Sequence, residues 1–391
     1  MTQRSNDGSG FARRAMLGGG LASVGLAAFP SAAKASGEPA PREYGRTSRT
    51  RLVLLGTAGG PPWFPNTTRA GISSAVCVGD RYYLVDAGHG VGHQMVKAKL
   101  PGWQDPARVG VLHQLRAIFL THLHSDHVCD LNNIFTTGLV NGIPRADLPI
   151  KLFGPGDRGA LPPLFGPAAA PPVVCPESPT PGTREMWQHL VEAFATDYND
   201  RARDNRLPVP QQFVEAHDVQ LPEWVVADPN GNPEPRMSPV DVYEDDRVKV
   251  SATLVQHAPV FPALAYRFDT DEGSIVFSGD TGPSENLVGL ASNVDVLVHE
   301  VIAEEWVDQQ FPEPRTETQE AIRQHLLAAH TTIAQVPVIA ERANAKNLVL
   351  NHLAPANWPE HAWRAAQNGY SGLLIVGNDL DVINVGGGRK R

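Results

Sequence analysis

The sequence predicts an α/β fold. Three observations lead there: short runs rich in β-branched and aromatic residues, helical stretches set between them in both halves of the chain, and apolar strands that end in histidine or aspartate. Length and composition agree, because 391 residues with 42% hydrophobic side chains, 36 glycines and 34 prolines can bury a large core and still supply long loops. After the N-terminal segment no apolar run reaches the ~18 residues of a membrane span. A stable membrane anchor is therefore not expected.

Taken in order, residues 1–35 read as an address. Arg13–Arg14 precede a Gly- and Ala-rich apolar stretch from Ala15 to Phe29, and Ala33, Lys34 and Ala35 form a small-x-small cleavage site. This resembles a twin-arginine export signal, which implies the twin-arginine machinery as a partner and a periplasmic or secreted location. Residues 36–49 read as a polar linker and 50–391 as the folded domain. That domain opens with "RLVLLGT" from Arg51, "ISSAVCVG" from Ile72 and "RYYLVDAG" from Arg81, a meander bounded by Gly, Pro and Asp. A helical stretch near Val91–Leu100 follows, then the strand "RAIFL".

The middle differs in kind. Over residues 153–182 Pro and Gly are too dense for a helix or a central strand, so a surface excursion is expected within an insertion spanning about 154–245. Met186, Leu190, Phe194 and Tyr198 then recur at near-helical spacing and predict an amphipathic helix, either docked on the body or serving as a lid over the site. The second half resumes the earlier grammar. "VKVSATLVQH" ends at His257; "ALAYRFD" and "SIVFSGD" make a hairpin ending at Asp280. "VDVLVHE" ends at His299 and Glu300, and a helix leads to a strand ending at His352.

The chemistry concentrates in "FLTHLHSDHVCDL", residues 119–131, where His122, His124, Asp126 and His127 crowd behind an apolar strand. A lone histidine on an apolar face is usually a hydrogen-bonded core residue. Four imidazole and carboxylate groups at alternating spacing are instead the donor set of zinc and similar borderline cations. Strand ends hold such groups rigidly while the following loop leaves the site open.

Charge argues about partners. The whole chain carries a formal −9, and removal of residues 1–35, with Arg4, Arg13, Arg14 and Lys34 against Asp7, leaves −12. A polynucleotide binder usually has a basic footprint, so nucleic acid is an unfavoured partner on this count. Cys77, Cys129 and Cys175 are odd in number and widely spaced, and no structural disulfide is expected.

"THLHSDH" resembles the H-x-H-x-D-H signature of the metallo-β-lactamase fold, and the chain is similar to that superfamily's tRNase Z and arylsulfatase-like branch. "VDAGHGVGHQM" resembles the earlier strand-loop motif with the first conserved aspartate, and "QHAPVFPALAYRF", "SGDT", "HEVI", "AHTTIAQ" and "LNHLAP" resemble the later motifs, all in the family's order over roughly residues 51–385. The resemblance implies a four-layer αβ/βα sandwich with the site at one edge between two sheets. It also implies two Zn²⁺ ions, other divalent metals being compatible with the donors: His122, His124 and His257 on one, Asp126, His127 and His352 on the other, Asp280 bridging. Asp86 is placed behind a ligand imidazole. His330 would face the substrate as an acid or charge stabiliser, oriented by Glu300, and Asp126 is counted with them among the catalytic groups.

Val301 and Ile302 follow the His-Glu pair where the family has Ala-Thr, Thr331 replaces Ser, and no basic tRNA-holding arm is recognisable in the insertion. These departures, the acidic balance and the export signal direct the expectation toward an exported dinuclear hydrolase of small esters. Aryl or alkyl sulfates and phosphodiesters come first as substrates, attacked by a hydroxide that the ions activate. RNA 3′-end cleavage in the manner of tRNase Z, lactone or β-lactam hydrolysis, and a non-catalytic periplasmic metal-binding protein are the alternatives. A homodimer is compatible with all of them.

Overall fold

The computed structural model describes residues 40–103, 110–143, 149–165 and 169–386. The expected export signal, residues 1–35, lies outside the described residues. Strands β1 (Glu43–Tyr44), β2 (Thr50–Gly56), β3 (Ser73–Val78), β4 (Arg81–Val85), β5 (Leu115–Phe119), β6 (Ile150–Gly154) and β7 (Val214–Asp218) belong to one sheet. The second sheet holds β8 (Val240–Glu244), β9 (Val248–Leu254), β10 (Leu264–Thr270), β11 (Gly273–Phe277), β12 (Val296–Ile302), β13 (Asn347–Ala354) and β14 (Leu373–Val376). The chain then returns to the first sheet as β15 (Val382–Asn384), between β1 and β2.

Both sheets change direction in the same way. An antiparallel meander, β2–β3–β4, passes into the parallel run β4–β5–β6–β7, and antiparallel β9–β10–β11 passes into parallel β11–β12–β13–β14. Parallel neighbours need crossovers, which supply the outer helices. They also aim their C-terminal ends the same way, and those ends carry the chemistry.

Strand periodicity explains the layers. Along β2, Leu52 and Leu54 face a core shared with Phe268, Ile275 and Val349 of the second sheet, while Val53 and Leu55 face Leu131 and Phe135 of the helix Leu131–Gly138. A strand apolar on both faces must be covered on both. The second sheet repeats this with Leu297, Leu348 and Leu350 against Leu287, Ile339 and Trp363 of its helices. The four-layer sandwich is therefore what the molecule adopts. Phe119, the last residue of β5, lies 5.2 Å from Phe268 and 5.5 Å from Phe153, and Tyr266 donates its hydroxyl to the Leu120 carbonyl at 3.0 Å. The second sheet thus grips the first one residue before the histidine-rich loop begins.

The insertion follows expectation in part. Residues 155–165 and 169–182 form no helix or strand, with Leu164, Phe165 and Val174 exposed. The predicted helix is two, Thr183–Ala193 and Ala195–Asp204, broken at Phe194, which adopts φ −108° and ψ 18°. Phe194 is exposed, and Trp187 takes the buried place, edge-on to Phe135 at 4.7 Å. This helix packs on the outer face of the first sheet.

Candidate metal centre

β5 ends at Phe119, and the chain turns through Thr121 and His122 into the short helix Ser125–Val128. The turn is held from the neighbouring strand. Asp86, just past β4 and in the left-handed region at φ 60°, accepts the Thr121 backbone N–H at 2.8 Å and its hydroxyl at 2.9 Å. The same carboxylate lies 2.8 Å from His127 Nδ1. That contact fixes the ring and turns Nε2 toward the centre.

Asp280, three residues past β11, organises the rest. Its Oδ2 lies 3.9 Å from both His122 Nε2 and His257 Nε2, and its Oδ1 lies 3.3 Å from both His127 Nε2 and His352 Nε2. On the Oδ2 side His257 Nε2 is 3.4 Å from His124 Nδ1; on the Oδ1 side Asp126 Oδ2 is 3.3 Å from His352 Nε2 and 3.5 Å from His127 Nε2. The donor atoms of His122, His124 and His257, and those of Asp126, His127, Asp280 and His352, each fall within 4.8 Å of one another. His352, at φ 43°, adopts a backbone conformation rare outside glycine, the local strain that functional positions carry.

This donor set suits a divalent cation. His122 Nε2, His127 Nε2 and Asp280 Oδ1 are buried without a hydrogen-bond partner, a costly arrangement for polar atoms that all point into one space. Burial depresses His122 well below the usual imidazole range and His257 to about 3, outweighing the nearby Asp280, so both rings offer lone pairs. Burial opposes charge on Asp280, yet His352 and His127 hold its carboxyl well below the usual range. Asp126, similarly opposed by burial and favoured by His352, sits at about 2 and is ionised at neutral pH.

A second pair borders the cluster. His330 Nδ1 lies 3.0 Å from Glu300 Oε1, which also accepts the backbone N–H groups of Thr281 at 3.0 Å and Thr331 at 3.2 Å. Burial alone would lower His330, but the Glu300 carboxylate lifts it to about 9. Its side chain keeps 16% exposure and remains open to a ligand, and its Nδ1 is 3.9 Å from Asp280 Oδ2. Glu300 thus lies where an orienting group must lie. His299 is a buried strand residue whose Nδ1 donates to the Glu300 carbonyl at 2.7 Å.

All nine site residues drawn from the sequence meet here: His122, His124, Asp126, His127, His257, Asp280, Glu300, His330 and His352. Sequence reasoning missed the far wall. A cleft of about 600 Å³ opens beside Asp126, with Trp63, Phe64 and His89 in its lining. The only signal for it was the odd run "PPWFP" between two strands.

The metallo-β-lactamase superfamily matches residues 67–308 of the chain. A ribonuclease Z of Mycobacterium bovis (strain BCG / Pasteur 1173P2) is 31% identical over 339 residues, covering 85% of this chain and 98% of the relative. Ribonuclease Z of Mycobacterium tuberculosis (strain ATCC 25618 / H37Rv) is 30% identical, with 85% and 97% covered. Among solved structures, the short form of human tRNase Z superposes with a TM-score of 0.53 at 17% identity, covering 86% of this chain and 99% of that one, a likeness of fold.

Proposed function

Because the chain belongs to the metallo-β-lactamase superfamily, we propose that it is a metal-dependent endoribonuclease of the tRNase Z kind, hydrolysing a phosphodiester at the 3′ side of a precursor tRNA. The observation that carries this reading is the ribonuclease Z likeness, 31% identical along 98% of the relative's length. It corrects two expectations. Small sulfate or other small esters were placed first as substrates and nucleic acid was disfavoured as a partner, and relatives named for RNA cleavage overturn both. The physical reason is that a dinuclear imidazole–carboxylate centre accepts many oxyanion esters, so its motifs do not select the substrate. Net charge likewise sums over the whole surface, whereas RNA feels only the face it meets.

His122, His124 and His257 would hold one cation, Asp126, His127 and His352 a second, with Asp280 shared; nitrogen and carboxylate donors favour zinc. Bound there, the pair would supply an acidified water and neutralise charge on the phosphoryl oxygens. The chain's own groups do the remaining work. Asp126, ionised and facing both the cluster and the open cleft, would accept a hydrogen bond from the attacking water and orient it. His330, charged through Glu300, donates its proton to the leaving ribose oxygen. Raised to about 9 beside Glu300, His330 is protonated at neutral pH and has a proton to give.

The test is cleavage of a precursor tRNA with a 3′ trailer by zinc-loaded protein, beside a nitrophenyl sulfate and the same RNA lacking its trailer. Endonucleolytic release of the trailer, with no turnover of the sulfate, is the expected result. An intact trailer would remove the reading.

A further inference from the structure

Trp63 is the most exposed large apolar side chain among the described residues, at 95%. A tryptophan is normally the residue with most to gain from burial, since its side chain can cover 150–250 Å². Here it stands in water although the loop that bears it is firmly held. Pro61, Pro62 and Pro65 restrict the backbone around it. On one side the Gly59 N–H donates to the Leu353 carbonyl at 3.1 Å, and the Gly60 N–H lies 3.2 Å from His352 Nε2. On the other side Phe64 packs edge-on to Trp306 at 5.9 Å, and Asn357 donates to the Pro65 carbonyl at 3.1 Å. The indole is thus presented by a loop clamped to the strand that carries His352.

Trp63 and Asp126 line the same cleft, so a chain reacting at the centre can run on across the indole. We propose that Trp63 is a stacking platform for an unpaired nucleobase next to the scissile phosphodiester. Aromatic faces accept any base, because every base has a π surface. The platform therefore positions single-stranded RNA without reading its sequence, and a paired stem, whose bases are already stacked, is excluded from it. The inference rests on the RNA-cleaving reading and adds to it the state of the RNA at the point of cleavage.

Zinc-loaded wild type, Trp63→Ala and Trp63→Phe are compared on trailer-bearing RNAs that carry either a normal or an abasic nucleotide on each side of the scissile bond. Stacking predicts that Trp63→Ala raises KM about ten- to a hundredfold on the normal RNA, the range of a lost base–aromatic contact, with kcat changed much less. Trp63→Phe should recover most of the loss. On the RNA abasic at the stacked position, wild type should fall to the level of Trp63→Ala, and the variant should lose nothing more. Equal losses for the variant on normal and abasic RNA would overturn the proposal, as would no loss at all. A change of sedimentation from dimer to monomer in Trp63→Ala would overturn it too, by making the indole a contact between copies. Wild-type protein that cleaves no RNA would bring down the functional reading itself, an outcome visible before any variant is compared.

Discussion

The two sides of Asp280 are built differently. On the Oδ2 side three imidazoles, His122, His124 and His257, face one carboxylate oxygen, His124 is exposed, and His330 stands at the border. On the Oδ1 side His127 and His352 face the other oxygen together with Asp126, and a third carboxylate, Asp86, backs His127. Opposite charge within a few ångströms is worth more where water is excluded. The Oδ1 side therefore has the greater hold on a cation, while reacting groups stand on both sides, Asp126 at the open cleft and His330 at the opposite border. The two halves differ in their grip on a cation.

The largest break in this comparison is Asp280→Ala, which removes the group that both sides share. Metal content should fall from about two equivalents to near zero, and turnover by more than about a thousandfold, because the acidified water depends on both ions. Inductively coupled plasma analysis beside the trailer assay checks it. One ion retained at full strength would mean that the sides are independent. His330→Ala removes the acid and leaves the seven proposed ligands in place. Metal content should stay and turnover should drop by roughly 10²–10⁴-fold, the worth of a general acid. The drop should shrink on phosphodiesters with a nitrophenyl leaving group, which need little protonation. A uniform loss across leaving groups would reduce His330 to a structural role.

The same contrast shows what the sequence made legible. His122, His124, Asp126 and His127 could be read directly, because one strand end and one turn deliver them within six positions. His257 pairs with His124 across 133 residues and His352 with Asp126 across 226, so the sequence offered only strands ending in His or Asp, and the family resemblance supplied their pairing. Central strands such as β2 and β13 were visible as apolar runs, being buried on both faces. β7 ("VEAHD") and β8 ("VDVYE") were not, because each is an edge strand with polar residues on its open side. Phe194 fitted a helical stripe that the chain abandons by breaking there, since Trp187 already filled the place against Phe135. Exposure is not written in sequence, so the run "PPWFP" marked an unusual loop without showing that Trp63 stands open.

The smallest predicted effect sharpens the comparison most. Asp86 touches no substrate and faces the cluster only through His127 and the Thr121 turn. In Asp86→Asn one oxygen becomes an N–H donor. If the amide nitrogen faces His127 Nδ1, two donors meet, or the ring must turn over its tautomer. If it faces the Thr121 N–H, that buried donor loses its acceptor at a cost of about 1–3 kcal/mol. Either choice disturbs His127, directly or through the Thr121 turn, and reaches the Oδ2 side only at His122, whose Nδ1 lies 3.2 Å from the Thr121 hydroxyl. Affinity for one ion should weaken about 10- to 100-fold, the usual effect of losing a partner behind a ligand. The other ion should change much less, so a chelator titration that in wild type removes the Oδ2-side ion before the Oδ1-side ion should show its two steps drawn together. Equal weakening of both ions would show that Asp86 sets the shape of the whole centre through Thr121, and the difference in grip between the two sides would no longer hold.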